Sequence, residues 1–252
     1  SSDLSLSMAQ STPVAPRRTV DAACVIHGRA YDWIYVERLH SMLSRNLSLP
    51  VRMHVWTEHD RSVPPHMVKH ILEDWSGIAG PKKSWWYKMQ MFDPRHHEGD
   101  LLYFDLDTVI CNDVNWLLED TQYFWTLRDF RYLHNANLQN MNSSVMWWNV
   151  QRMRYVWEAW CSDSPQNWAA RFHGDQDFLF QHIHPRHRRY YPDERVQSWR
   201  WSAYEGGWDF QRRRSRAPGT GTRINAGVGV LVFHGRPKPH QITDPAIKAL
   251  WR

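Results

Sequence analysis

Two aspartates, Asp105 and Asp107, follow directly on the apolar run Leu101-Leu102-Tyr103-Phe104. Side chains of an extended chain alternate, so positions i and i+2 leave a strand end on one side, and two carboxylates placed that way can face one cation. Oxygen donors of this kind suit Mg2+ or Mn2+, which keep coordination positions open for phosphate oxygens. In an open α/β sheet the carboxyl ends of the strands are also where ligands bind. A bare Asp-x-Asp serves equally as turn chemistry, so the tripeptide takes its weight from its company. Lys88 precedes it, and MNSSVMWWNV (141–150), GDQDFLF (174–180) and VFHGRPKPH (232–240) follow.

These residues need a frame. Val20–His27 reads as a first strand ended by Gly28, and Trp33, Val36, Leu39 and Leu43 recur at helical spacing after it. A second strand at 51–57, a helix near Pro65–Trp75 and a helix at Ser84–Phe92 lead to the strand Leu101–Phe104. Then come a short helical segment at Val114–Glu119, strands at Tyr123–Leu127 and Ser144–Trp148, and a helix over about Val150–Trp160. The final third is irregular, with an Arg/Trp-rich stretch (186–201), a basic Gly-punctuated loop (211–223) and a last strand at 229–235. The order predicts an α/β fold: a mixed, mostly parallel sheet with helices on both faces, in one domain over 20–252. Residues 1–19, Ser/Pro-rich and without periodic apolar positions, read as a flexible leader.

With 252 residues, of which 42% are hydrophobic, the chain can bury a core without disulfides or a structural metal. Its three cysteines, Cys24, Cys111 and Cys161, lie at wide, unpatterned spacings, which points to reduced thiols and a cytoplasmic setting. No apolar run reaches the roughly 18–20 residues of a membrane span. The net charge is +5, and 25 of the 31 basic residues are Arg, the side chain suited to bidentate phosphate contact and base stacking. The histidines of HIHPRHRR (182–189) lack the spacing and Cys partners of a tetrahedral zinc site.

Taken in order, Lys88, the D-x-D, the 141–150 segment, GDQDFLF and VFHGRPKPH make the chain resemble the GT-A glycosyltransferases, above all family 8, over about residues 22–240. The resemblance implies a Rossmann-like GT-A fold, a UDP-sugar donor and a divalent cation, Mn2+ or Mg2+. Asp105 and Asp107 would bind that metal, with His234 of the family's H-x-G-x-x-K-P pattern as third ligand. Gly235 and Lys238 would hold the diphosphate, and His27, Gly28 and Tyr31 occupy the place where the family binds uridine. Lys88 matches the lysine that reaches the donor, Asn142 and Ser143 match F-N-S-G beside it, and Asp175 with Gln176 match the D-Q pair lining the donor and acceptor sugars. The chain departs from the pattern at Leu106, Ser144 and His240.

The chemistry is coherent on its own terms. Cleaving a nucleotide-sugar bond develops negative charge on the diphosphate, which a cation, Lys88 and Lys238 would stabilise, and positive charge at the anomeric carbon, which calls for oxygens such as those of Asp175 and Gln176. The family resemblance implies retention of anomeric configuration. Two acceptors are open: a glycan of a bacterial envelope, or a hydroxymethylated base in phage-type DNA, for which the Arg-rich segments offer phosphate contacts. A non-catalytic binding module is the rival reading. The intact D-x-D, His234 and Lys238 argue against it.

Overall fold

The computed structural model of the chain describes residues 19–78, 83–217, 219 and 221–252. Apart from Thr19, the expected leader lies outside the described residues. The strands are β1 (Val20–Val25), β2 (Val51–Thr57), β3 (Val68–Ile71), β4 (Asp100–Phe104), β5 (Thr108–Ile110), β6 (Phe124–Arg128), β7 (Met141–Asn149), β8 (Arg188–Tyr190), β9 (Val196–Ser198), β10 (Trp208–Asp209), β11 (Arg214–Ser215) and β12 (Val230–Val232). The helices are α1 (Ile34–Asn46), α2 (Lys83–Trp86), α3 (Arg154–Cys161), α4 (Pro165–Arg171), α5 (Asp175–His182) and α6 (Pro245–Leu250).

Seven strands form the main sheet in the order β3-β2-β1-β4-β7-β6-β8. All neighbours run parallel except at β7, which is antiparallel to both β4 and β6. This is the expected mixed α/β sheet. Its central strands are apolar on both faces because both faces are covered. Ala22, Cys24, Leu102 and Phe104 pack with Val36, Leu39 and Leu43 of α1 on one side, while Ala23, Leu101 and Tyr103 meet Trp86, Val156 and Phe178 of α2, α3 and α5 on the other. The second face is dense in aromatic rings. Trp160 lies 5.0 to 5.4 Å, centroid to centroid, from Trp75, Trp86 and Phe178.

Several elements differ from the sequence reading, among them α4, α5, β8 and β9 in a final third read as irregular, whose strands are too short to show a period. Residues 65–75 hold the edge strand β3, not a helix. Val68 pairs with His54 and Ile71 with Thr57 on β2, and β-branched Val68 and Ile71 suit an extended edge better than a helix. Within 211–223, read as a loop, β11 pairs antiparallel with β10, and the Tyr204 hydroxyl donates to the Gly219 carbonyl at 2.9 Å. The helical run over 83–92 also tightens to a 3-10 turn at Tyr87–Phe92, and α3 begins at Arg154.

A small second sheet, β5-β12-β9, carries the site. Asp105-Leu106-Asp107 is the bend where the chain passes from β4 in the main sheet to β5 in the small one. The Asp105 amide still donates to the Ser144 carbonyl of β7 (2.8 Å), and the Phe233 amide beyond β12 donates to the Asp107 carbonyl (3.1 Å). Leu106 is buried in the core between them, which leaves the two aspartates on the side away from it.

Candidate functional site

A cleft of about 360 Å³ opens at the carboxyl ends of β1 and β4. It is lined by every residue singled out from the sequence except Gly28: His27, Tyr31, Lys88, Asp105, Asp107, Asn142, Ser143, Asp175, Gln176, His234, Gly235 and Lys238. These come from separate segments of the chain, and the fold alone brings them together.

At its floor three carboxylates share two ammonium groups. Lys88 Nζ lies 2.8 Å from Asp105 Oδ1 and 3.5 Å from Asp175 Oδ2, and donates to Ser143 Oγ at 3.1 Å. Ser143 in turn donates to Asp175 Oδ2 at 2.6 Å. Asp105 also accepts from the Tyr103 hydroxyl (2.6 Å). Asp107 Oδ2 accepts from Lys238 Nζ and, at 3.0 Å, from the Tyr31 hydroxyl.

Burial sets the electrostatics. It pushes Asp105 up, but Lys88, Tyr103 and Ser144 outweigh it and hold that carboxyl below the usual range. For Asp107 burial wins over Lys238 and Tyr31, and for Asp175 it wins over Lys88 and Ser143, so both are raised. Burial alone would neutralise Lys88; Asp105 and Asp175 reverse that and raise it. Lys88 is therefore tied between two carboxylates, a more structural position than that of the donor-reaching lysine in the resemblance.

His234 sits at the rim. Its Nε2 lies 2.6 Å from Ser198 Oγ, and its ring stacks on Phe130 (5.6 Å) and meets Trp201 edge-on (4.3 Å). Burial and Arg200 lower it to about 4, so it is neutral at pH 7. In H-x-G-x-x-K-P one residue separates His from Gly, whereas His234 and Gly235 are adjacent. Among the described residues, Asp105, Asp107 and His234 do not form a set of ligand atoms within 4.8 Å of one another. The two carboxylates are the hard oxygen donors that Mg2+ or Mn2+ takes, so the donor type fits such an ion, which would share them with Lys88 and Lys238. With Nε2 engaged, Nδ1 is the His234 nitrogen left to coordinate.

The departures from the family pattern find local explanations. Leu106 fills core, and Ser144 supplies the carbonyl that receives Asp105. His240 closes the last segment by bonding the Tyr35 hydroxyl. Gly28 lies outside the cleft. It has φ +67°, its amide donates to Glu58 and its carbonyl accepts from Arg61 at 2.6 Å. A Cβ there would meet nothing within 4 Å, so Gly28→Ala costs strain alone, about 1–2 kcal/mol. At 2–4 °C per kcal/mol for a domain of this size, the melting temperature should fall by roughly 2–8 °C. Affinity for any ligand of the cleft should stay unchanged, and a weakened affinity would place Gly28 against that ligand after all.

Sequence reasoning missed the residues that restrain the ligands: Tyr103, which bonds Asp105, and Ser198, Phe130 and Trp201, which fix the His234 ring. It also missed a neighbouring hollow of about 490 Å³, which shares Asn142, His173, Gln176 and His234 with the cleft and adds Asp129, Arg131, Asn140, Asp177 and Trp201. Only Gln176, through its D-Q neighbourhood, was signalled for such a place.

No family model matches the sequence, and no curated protein matches it. Solved structures do. The galactosyltransferase LgtC in complex with donor and acceptor sugar analogues is similar over 92% of this chain and 94% of its own, with a TM-score of 0.62 and 12% identity. WbbM, a bifunctional glycosyltransferase, matches 90% of this chain and 48% of its own with a TM-score of 0.56 and 12% identity. Mouse xyloside xylosyltransferase 1 covers 86% of this chain and 98% of its own at a TM-score of 0.53 and 13% identity. At such identities the likeness establishes architecture, and the chain has the GT-A glycosyltransferase fold.

Proposed function

We propose that the cleft transfers a glycosyl group from a nucleotide-sugar, a UDP-sugar, to an acceptor hydroxyl, with Mn2+ or Mg2+ bound at Asp105 and Asp107 and with retention of anomeric configuration. The observation that carries this reading is the convergence of Asp105, Asp107, Asp175 and Lys238 in one cleft at the strand ends of a fold shared with glycosyltransferases. A divalent ion there supplies electrostatic stabilisation of the leaving diphosphate. Lys238 adds a point charge from the segment beside it, and the left-handed Gly235 (φ +76°) lets backbone approach the phosphates. Asp175, fixed by Ser143 and Lys88, and its neighbour Gln176 present oxygens where the sugar's positive charge develops. The Tyr31 ring is edge-on to Tyr35 at 4.8 Å, held as a wall for the nucleotide base. Release of UDP from a panel of UDP-sugars, with and without Mn2+ and acceptor, tests the proposal; no metal-dependent release from any donor would overturn it.

The hollow beside the cleft favours a glycan acceptor, because Trp201 offers an aromatic face and Asp129, Asp177 and Asn140 offer acceptors and donors for sugar hydroxyls. A DNA acceptor draws on a different observation. Arg200, Arg213 and Arg236 line a hollow of about 520 Å³ with Trp199 and Trp208, adjoining the segment that carries Lys238. The two are separated by salt. On a duplex acceptor, replacing Arg212, Arg213 and Arg214 with Ala should make the log–log salt slope of binding shallower by about 2–3 units while UDP affinity holds. With a glycan acceptor, the triple change leaves acceptor binding insensitive to salt, as in the parent.

A further inference from the structure

We propose that Asp21, His54 and His97 form a second metal site, for a borderline divalent ion such as Zn2+, at the end of the sheet opposite the cleft. Asp21 lies near the start of β1, His54 in the middle of β2 and His97 in the turn that leads into β4. Asp21 and Ala23 share a face of β1, and Ala23 pairs with His54, so the aspartate and the histidine come from adjoining strands at the amino-terminal side of the sheet.

The ligand atoms are already gathered. His54 Nε2 lies 3.2 Å from Asp21 Oδ1, His97 Nε2 lies 3.7 Å from Asp21 Oδ2, and all three residues offer atoms within 4.8 Å of one another. A tetrahedral ion with bonds of about 2.0–2.1 Å places its ligands roughly 3.3–3.4 Å apart. His97 Nε2 also donates to the Asp100 carbonyl at 3.3 Å, a bond that an ion at this nitrogen would replace.

Two features of His54 point to an ion. His54 is 5% exposed, and its Nε2, 3.2 Å from Asp21 Oδ1, makes no well-aligned hydrogen bond. A buried polar atom without a partner costs free energy, and a coordinated cation removes that cost. Its other nitrogen, Nδ1, lies 2.9 Å from His70 Nε2, and the His70 ring is stacked on Trp56 at 3.9 Å. A ligating histidine is normally fixed in this way, by a partner at its second nitrogen.

The charges nearby select the ion. Arg52 donates to both oxygens of Asp21, at 2.5 and 2.7 Å, and His70 and His96 lie behind His54. One carboxylate already shared with a guanidinium gives Mg2+ or Ca2+ little charge to bind, whereas two imidazoles suit zinc.

The test uses the full chain, stripped of metal, in the Asp105→Asn/Asp107→Asn background, so that the cleft carboxylates do not contribute. Zinc titration against a chromophoric chelator should give one saturable site per chain, with a rise in melting temperature. His97→Gln in that background should weaken binding by roughly 100-fold or more and abolish the thermal shift, since even outer-shell partners are worth 10–100-fold. His54→Gln should do the same; both side chains are buried, so if one variant fails to fold the other decides. Absence of saturable binding at micromolar zinc, or binding that survives His97→Gln, would overturn the site. Neither outcome bears on glycosyl transfer, which is read separately through UDP release.

Discussion

Lys88→Met should lower the melting temperature by about 6–20 °C. Removing one partner of a buried ion pair costs about 3–5 kcal/mol because the other charge stays buried, and each kcal/mol is worth roughly 2–4 °C in a domain of this size. Here the orphans are Asp105 and Asp175, both served by one ammonium group whose side chain is only 8% exposed. The loss should depend on pH with a definite sign. A carboxyl raised above its ordinary value of about 3.9 takes up a proton on folding, so its contribution is most favourable at low pH and is lost as pH rises through the raised value. Asp175 is already raised in the parent, and without Lys88 it rises further. The deficit should therefore be largest at pH 7 and above and shrink toward pH 5. Adding Asp175→Asn should restore part of it at pH 7. Thermal melts across that range check the expectation, and an unchanged melting temperature would show that Lys88 does not hold the floor of the cleft together.

The opposite pattern is expected of Asp107→Asn: a near-intact fold with lost activity. Burial outweighs Lys238 and Tyr31 in raising this carboxyl, so the charge is not what the fold gains from, and the amide keeps the shape. Lys238, partly exposed, can be hydrated when released. Turnover should drop by about 10²–10³-fold or more, the loss that follows removal of a single preorganised electrostatic group. Metal-dependent UDP affinity should fall with it. UDP release and a melting curve on the same sample decide the matter; activity within tenfold of the parent would remove Asp107 from the proposed chemistry.

Much of this arrangement was legible in the sequence, for reasons that differ by element. The run Leu101–Phe104 announced a buried strand because it is apolar on both faces, and the Asp pair announced the end of that strand. Helix α1 was visible because Val36, Leu39 and Leu43 face one side. Strand β3 was missed because four residues are too short to display a period, and only pairing with β2 makes them a strand. The helix expected over 84–92 exists, but its conversion to a 3-10 turn at Tyr87 reflects packing and has no local signature. At the site, residue types announced the ligands but not their restraints. Nothing near Lys88 in sequence indicates that its ammonium is shared by carboxylates 17 and 87 positions away. The Asp21–His54–His97 group was invisible for the same reason, since its members are joined by strand register and a turn rather than by spacing.

The partners of Asp107 carry a consequence for how the protein is made. Its carboxylate meets a hydroxyl 76 positions earlier in the chain and an ammonium 131 positions later. At the roughly 5–20 residues per second of synthesis, Lys238 leaves the ribosome about 7–26 seconds after Asp107. For that interval the nascent chain holds Lys88 but not Lys238, so the aspartates are one counter-charge short, and β12, which completes the small sheet, does not yet exist. The cleft is thus among the last features that vectorial folding can finish, and binding of nucleotide to stalled chains of increasing length should appear abruptly once residues 230–238 clear the exit tunnel.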